Sequence, residues 1–115
     1  MSKRSPITTH VLDVSLGSPA KDIRCQLNRL NSQSRWDKIS EGVTNQDGRI
    51  ETLLGGELQI GIYRLDFMTR AYFESRNLAS FYPSVSITFE VTATDQHYHV
   101  PLLLSPYGYS TYRGS

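Results

Sequence analysis

Alternating apolar and polar positions along most of the chain predict short β-strands. The alternation is strictest at 84–93, where every second side chain is apolar and the others are Ser, Thr or Glu. Side chains two apart in a strand point to the same face, so this segment predicts a strand with one buried and one solvated face. Weaker forms of the pattern predict strands at 7–14, 23–28, 36–44, 49–54, 58–68 and 97–104, with a further segment after Pro106.

Turn-forming residues separate these segments and indicate the fold class. The strongest turn signal is Asp47-Gly48, because glycine adopts positive φ at low cost. The segment 69–77 is the only plausible helix, of two turns at most. About eight short strands with regular turn signals are typical of an antiparallel β-sandwich. A chain of 115 residues fits a single domain spanning 1–115.

Composition and charge exclude several classes of partner. The net charge is +1, from 12 basic and 11 acidic side chains, and no basic run exceeds Lys3-Arg4. Nucleic acids and anionic membrane surfaces need clustered charge, so we expect neither as a partner. No apolar window is long enough to span a membrane. Cys25 stands alone, which predicts a buried thiol without a disulfide. The first residues lack the apolar stretch of a secretory signal, so we expect a cytosolic protein.

The C-terminal stretch 97–115 carries an unusual density of functional side chains. His97 and His99 are two apart and therefore share one face of a strand, so parity alone does not choose between them. The stretch also contains four tyrosines and ends on Tyr-Arg-Gly-Ser. Chain ends normally fray into polar residues, so aromatic rings and a guanidinium this close to the end predict that the tail is docked and used.

Histidines and one arginine offer two alternative chemistries. His10, His97 and His99 have the residue types of a three-histidine zinc site with water as the fourth ligand. Alternatively, neutral imidazoles carry out acid–base catalysis near pH 7 while Arg49 binds an anion or oxyanion. Considered individually, each residue also has a purely structural interpretation. His10 is then a half-buried histidine on a strand, and Arg49 is a solvated residue after a turn. Asp13 and Asp47 are interpreted as serving strand-end polarity and turn geometry.

Five motifs together resemble one known family across nearly the whole chain, from Ile7 onward. They resemble the 5-hydroxyisourate hydrolases, which belong to the transthyretin-like proteins of purine catabolism. The Tyr-Arg-Gly-Ser ending is the most specific of them, and thyroid-hormone-carrying transthyretins lack both that ending and the histidines. The five motifs are Thr8–Asp13, Asp47–Ile50, Ser80–Pro83, His97–Pro106 and Tyr112–Ser115.

The resemblance implies a fold, an assembly and a reaction. The fold would be an all-β, transthyretin-like antiparallel sandwich of two four-stranded sheets with one short helix. The assembly would be a homotetramer, a dimer of dimers, whose central channel holds paired active sites. The reaction would be hydrolysis of 5-hydroxyisourate to 2-oxo-4-hydroxy-4-carboxy-5-ureidoimidazoline during urate degradation, with no metal and no organic cofactor.

The resemblance also implies roles for individual residues. Two histidines would position and deprotonate the attacking water, and which of them is the base stays open. An arginine would stabilise the developing charge, a tyrosine would wall the substrate ring, and the final serine would hold a histidine or the water. His97 would have a supporting role at most. The implied catalytic residues are His10, Arg49, His99 and Ser115, and the implied substrate-binding residues are His10, Arg49, Tyr112, Arg113 and Gly114.

The sequence is also compatible with two other functions. One is a non-catalytic, transthyretin-like protein that binds a small ligand without converting it. The other is a zinc hydrolase. The charged and titratable group of His10, Arg49 and His99 favours an enzyme, since a carrier has little use for it.

Overall fold

A computed structural model describes residues 5–115 as two stacked β-sheets with one short helix. The predicted strands are largely confirmed, but 49–54 pairs only at its first two residues and 58–68 becomes regular only from Gly61, as the change of pattern there indicates. In this part of the chain the elements are β1 (Ile7–Asp13), β2 (Ser18–Pro19), β3 (Arg24–Leu30), β4 (Trp36–Val43), β5 (Arg49–Ile50), β6 (Gly61–Phe67), α1 (Thr69–Ser75), β7 (Val85–Val91), β8 (Tyr98–Ser105) and β9 (Gly108–Thr111).

The sandwich is confirmed, and its first sheet differs from the expectation in two details. That sheet has the order β2-β1-β8-β9, with β5 as a fifth strand paired to β1, and the second sheet has the order β4-β3-β6-β7. The sheets therefore hold five and four strands, because β8 occupies one edge of β1 and the two short strands β2 and β5 share the other. The pairing of β1 with β8 is parallel. No hairpin joins these distant segments, so no short connection imposes the antiparallel direction.

The core lies between the sheets, and α1 contributes side chains to it. Fully buried side chains come from both sheets, including Val11 and Leu102 from the first and Leu27 and Leu65 from the second. The helix buries Tyr72 and Phe73 in a cluster continuous with this core. No helix among the described residues is long and apolar enough to cross a membrane.

The predicted helix is confirmed but ends two residues early, at Ser75. Asn77 adopts a left-handed φ of 59°, which an α-helix cannot continue through. The N–H groups of Arg76 and Leu78 both donate to the carbonyl of Phe73, a pattern typical of a helix C-terminus. The helix therefore stops where Arg76 can turn back toward the sheet.

Asp13 joins the end of β1 to this helix. Its carboxylate is fully buried and accepts hydrogen bonds from the Tyr72 hydroxyl at 2.6 Å, the Arg76 guanidinium at 2.5 Å and the Ser15 hydroxyl at 2.5 Å. Burial alone would raise the pKa of this carboxyl, but the hydrogen bonds, led by that of Ser15, and the charge of Arg76 lower it. The interpretation of Asp13 as a structural strand-end residue agrees with these contacts.

Replacing Asp13 with Asn should destabilise the protein. The change removes the charge opposite Arg76, and we expect the free energy of unfolding at pH 7 to fall by about 2 kcal/mol. Because the folded-state pKa of Asp13 is lowered, its contribution is complete above the ordinary value of 3.8 and disappears as the pH falls through the folded value. Urea denaturation should therefore show the largest deficit at neutral pH and a smaller one in acid. Asp95→Asn, at an exposed position, is the control, and equal stability of the two variants would contradict the assignment.

Candidate active site

The parallel pairing of β1 and β8 brings the N-terminal and C-terminal motifs together. In this register Thr8 lies beside His99 and His10 lies beside Pro101. Neighbouring residues in a ladder project to the same face, so His10 and His99 both point toward the same side of the sheet. The structure brings these two histidines together, and both line one polar cavity of about 390 Å³.

Arg49 reaches the same cavity through a tight turn against β1. In the antiparallel pairing of β1 and β5, His10 lies directly beside Arg49. Gly48 precedes it with a φ of 73°, and a Cβ there would lie 2.4 Å from the carbonyl oxygen of Val11. The Val11 N–H donates to the Gly48 carbonyl at 2.7 Å, and Asn45 Oδ1 accepts from the Arg49 N–H at 3.0 Å. Only glycine permits this approach, which fixes the backbone of Arg49 next to His10.

The C-terminal tail returns to β8 and completes the cavity. Gly114 forms a β-bridge with His99, and its N–H donates to the His99 carbonyl at 2.8 Å. A Cβ on Gly114 would lie 2.6 Å from His99 Cδ2 and 3.3 Å from Pro101 Cγ. The predicted docking of the tail is confirmed, and it depends on a residue without a side chain. Tyr112 and Ser115, on either side of Arg113 and Gly114, both line the cavity.

Arg113 occupies a different place from the other predicted site residues. Its Nη2 donates to Gln96 Oε1 at 2.9 Å and to the His97 carbonyl at 3.3 Å. Its guanidinium also lies over the ring of Tyr98, 4.4 Å from the centroid. It does not line the cavity that contains His10 and Arg49. These contacts anchor the tail to the start of β8, and direct substrate binding by Arg113 stays a prediction.

His10 is held in its neutral form by its surroundings. Burial is the largest cause that lowers the pKa of this imidazole below 6.5, and the positive charge of Arg49 lowers it further. A backbone hydrogen bond from His10 to Asp47 and the charge of the Asp47 carboxylate oppose these effects but do not outweigh them. At neutral pH the imidazole can therefore accept a proton.

One hydroxyl connects the two C-terminal histidines. Thr8 Oγ1 lies 3.1 Å from His97 Nε2 and 2.8 Å from His99 Nδ1. The two rings are stacked, 6.3 Å apart and inclined by only 14°. Sequence reasoning placed Thr8 in a motif but assigned it no role. Its position became evident only from the parallel register, which nothing in local alternation indicates. Glu51, which also lines the cavity, was missed as well.

The positions of the three histidines do not support the zinc alternative. It requires His10, His97 and His99 to converge on one point. Within residues 5–115, no three side chains of His, Cys, Asp or Glu are grouped as a metal ion requires. His97 and His99 instead converge on Thr8, while His10 pairs with Arg49.

Comparison with known proteins identifies the family. A sequence model of the HIUase/Transthyretin family matches residues 7–114, which include nearly all of the cavity. The chain belongs to this family. It is 44% identical over 116 residues to 5-hydroxyisourate hydrolase of Mus musculus, covering 99% of this chain and 98% of that protein. It is 46% identical over 121 residues to 5-hydroxyisourate hydrolase 2 of Rhizobium meliloti, with both chains fully covered.

Two solved structures show that this fold serves more than one function. The 5-hydroxyisourate hydrolase of Klebsiella pneumoniae superposes with a TM-score of 0.84 and 36% identity, covering 95% of this chain and 92% of that one. Sea bream transthyretin in complex with thyroxine superposes with a TM-score of 0.90 and 29% identity, covering 95% and 94%. Since the fold accommodates both proteins, the side chains of the cavity decide the function.

The electrostatic coupling of His10 to Arg49 can be measured directly. By NMR titration we expect the pKa of His10 to lie below 6.5 and to rise in Arg49→Met, because that change removes the adjacent positive charge. Arg24→Met is the matched control, since Arg24 is exposed on the other sheet and pairs with Glu41. A His10 pKa that is unchanged by the loss of Arg49 would contradict the proposed coupling.

Proposed function

We propose that this protein is a 5-hydroxyisourate hydrolase that opens its substrate to 2-oxo-4-hydroxy-4-carboxy-5-ureidoimidazoline in urate degradation. The observation that carries the proposal is the polar cavity in which two imidazoles, a guanidinium and the docked chain end meet. Relatives that bear this name are 44–46% identical along essentially the whole chain, so the likeness includes every segment of the cavity.

The bond that is hydrolysed belongs to a cyclic amide, which sets three chemical requirements. Water must be activated, charge on the former carbonyl oxygen must be stabilised, and the leaving nitrogen must receive a proton. His10 and His99 position and deprotonate the water, and an imidazole then returns the proton. General acid–base catalysis of this kind contributes roughly 10²–10⁴ in rate. The lowered pKa of His10 suits this role, because an imidazolium could not accept a proton.

Arg49 stabilises the charge that develops on the substrate. Its backbone is fixed by the Gly48 turn, so the guanidinium extends from a rigid base beside His10. One well-placed donor to an oxyanion contributes about 3 kcal/mol to the transition state. No step of this scheme needs a metal or an organic cofactor.

The tail supplies the remaining wall of the site. Tyr112 covers the substrate ring, and Ser115 holds a histidine or the water through its hydroxyl. Gly114 allows the tail to approach the His99 ring closely enough for both roles. Arg113, bonded to Gln96 and the His97 carbonyl, keeps this segment in place.

A transthyretin-like carrier is the alternative function. The sea bream transthyretin superposes closely, and it was solved with thyroxine bound. The cavity of this chain argues against a carrier, because it is lined by His10, Arg49 and His99. Binding of an apolar aromatic ligand gains little from charged and titratable groups that must first be desolvated.

We further propose a cytosolic homotetramer, arranged as a dimer of dimers, whose central channel covers the cavities. The two sheets end at β9 and β7, whose outer edges carry no further strand within residues 5–115. Val14, Leu16 and Tyr107 are large apolar side chains exposed on the single chain. Open strand edges and exposed apolar groups both favour association.

Light scattering coupled to gel filtration should give four times the mass of the chain, and a monomer would contradict the assembly.

The direct test generates 5-hydroxyisourate from urate in situ and follows its ultraviolet decay with and without the protein. We expect the wild type to accelerate the decay, and His10→Ala, Arg49→Ala and His99→Ala each to lose most of the turnover while remaining assembled. Arg24→Ala, on the far sheet, is the control and should retain activity. Decay no faster than the spontaneous rate would exclude the hydrolase function. A fully active variant would remove its residue from the mechanism.

A single methyl group at Gly114 should disable the site. The Cβ of Gly114→Ala would lie 2.6 Å from His99 Cδ2, so either the tail or the imidazole must move. Displacing a catalytic group by about 1 Å costs on the order of 10²-fold in rate, and we expect kcat/KM to fall by about this factor. Gly56→Ala is the matched control, since a Cβ there meets no atom within 4 Å. Equal activity of the two variants would show that close docking of the tail is unnecessary.

A further inference from the structure

Thr8 is a buried polar residue between two histidines, and the proposed hydrolysis gives it no role. Its exposed fraction is 4%, and its backbone lies beside His99 in the β1/β8 ladder. Its hydroxyl is within hydrogen-bond distance of His97 Nε2 and His99 Nδ1 at once. A buried threonine that served packing alone would not need its hydroxyl between two imidazole nitrogens.

The chemistry of a hydroxyl restricts how these two contacts are made. Thr8 Oγ1 carries one hydrogen and can donate only one of the two bonds. In the other, an imidazole N–H must therefore donate to Oγ1. Since each neutral imidazole has one N–H and one acceptor nitrogen, the direction of this chain determines which nitrogen of His99 carries the proton.

We propose that Thr8 is a positioning residue that holds His99 in the tautomer a general base requires. This inference rests on the proposed hydrolase function. His99 Nδ1–H donates to Thr8 Oγ1, and the Thr8 hydroxyl donates to His97 Nε2. His99 Nε2 then carries the lone pair. The opposite direction would place the proton on Nε2, and His99 could not accept one there. His97 thus acts indirectly, because its Nε2 accepts the hydrogen bond from the Thr8 hydroxyl and so orients that hydroxyl.

The resulting step balances without a co-reactant. As water attacks the amide carbon, its oxygen forms the new C–O bond, the π electron pair of the carbonyl moves onto the carbonyl oxygen, and one proton of the water moves to His99 Nε2. The imidazolium keeps its Nδ1–H bonded to Thr8 throughout. When the carbonyl re-forms, the C–N bond breaks and its electron pair goes to the leaving nitrogen, which takes the proton from Nε2. In the Ser-His-Asp triad, the aspartate likewise binds one ring nitrogen of the catalytic histidine and thereby sets its tautomer and orientation.

The experiment compares Thr8→Val, which replaces the hydroxyl with a methyl group, with Thr8→Ser, which retains it. Thr9→Val is the matched control. Thr9 is fully buried on the same strand, and its hydroxyl donates to the Val100 carbonyl at 2.6 Å rather than to a histidine. The readouts are kcat and KM for 5-hydroxyisourate, and the imidazole ¹⁵N shifts, which report the tautomer of His99 whether or not the protein turns over substrate.

In the wild type we expect His99 to be protonated at Nδ1 and unprotonated at Nε2. Thr8→Val should shift this tautomer and lower kcat by about 10- to 100-fold with little change in KM, the scale known for histidines at metal sites that lose the hydrogen bond orienting them. Thr8→Ser should stay close to the wild type in both readouts. Thr9→Val should keep the tautomer, and any loss of kcat in it measures the general effect of removing a buried hydroxyl from this strand, since Thr9 also lines the cavity.

Three results would overturn the proposal. They are an unprotonated His99 Nδ1 in the wild type, an unchanged tautomer in Thr8→Val, and a loss of kcat in Thr8→Val no larger than in Thr9→Val. The first result is measured on the wild type, so the proposal can be tested even if the Thr8→Val protein does not fold. A wild type without hydrolase activity would refute the proposed function instead, and the ¹⁵N shifts would still test the hydrogen-bond direction.

Discussion

The parallel pairing of β1 with β8 is the constraint on which the rest of the site depends. It joins two segments separated by almost the whole chain and aligns them residue by residue, from Ile7 beside Tyr98 to Asp13 beside Leu104. A shift of one residue would turn the histidines of one strand away from those of the other. The buried side chains on the inner face, such as Val11 and Leu102, hold this register, because a slip would expose them. Packing of the core therefore determines the geometry of the polar cavity on the opposite face.

Two close backbone approaches complete the site around that pair of strands. At Gly48 the turn lies against β1, and at Gly114 the tail lies against the His99 ring. Each approach brings in a segment in which a proposed site residue is adjacent in sequence, Arg49 in one case and Ser115 in the other. The proposed catalytic groups thus extend from strands and from short segments bonded to them, which keeps them in place more firmly than long loops would.

The alternation of residues was sufficient to predict most of the fold and part of the site. Strand periodicity placed His97 and His99 on one face, and the Asp-Gly signal located the turn before Arg49. Alternation does not specify which strands pair, so the parallel direction and the fifth strand could not be predicted. For the same reason Thr8 was overlooked, since its partners are 89 and 91 residues away. The predicted binding role of Arg113 came from a motif, and a motif does not reveal that Gln96 and Tyr98 engage the guanidinium.

We propose that His10 and His99, brought together from distant segments of the chain, act as one catalytic unit. The decisive experiment is a double-mutant cycle on kcat/KM for 5-hydroxyisourate, using His10→Ala, His99→Ala and the double variant. Groups that act as a unit show strongly non-additive losses, so the double variant should be little slower than the slower single variant. If the two losses multiply in full, the histidines act independently and the cavity is not a single catalytic unit.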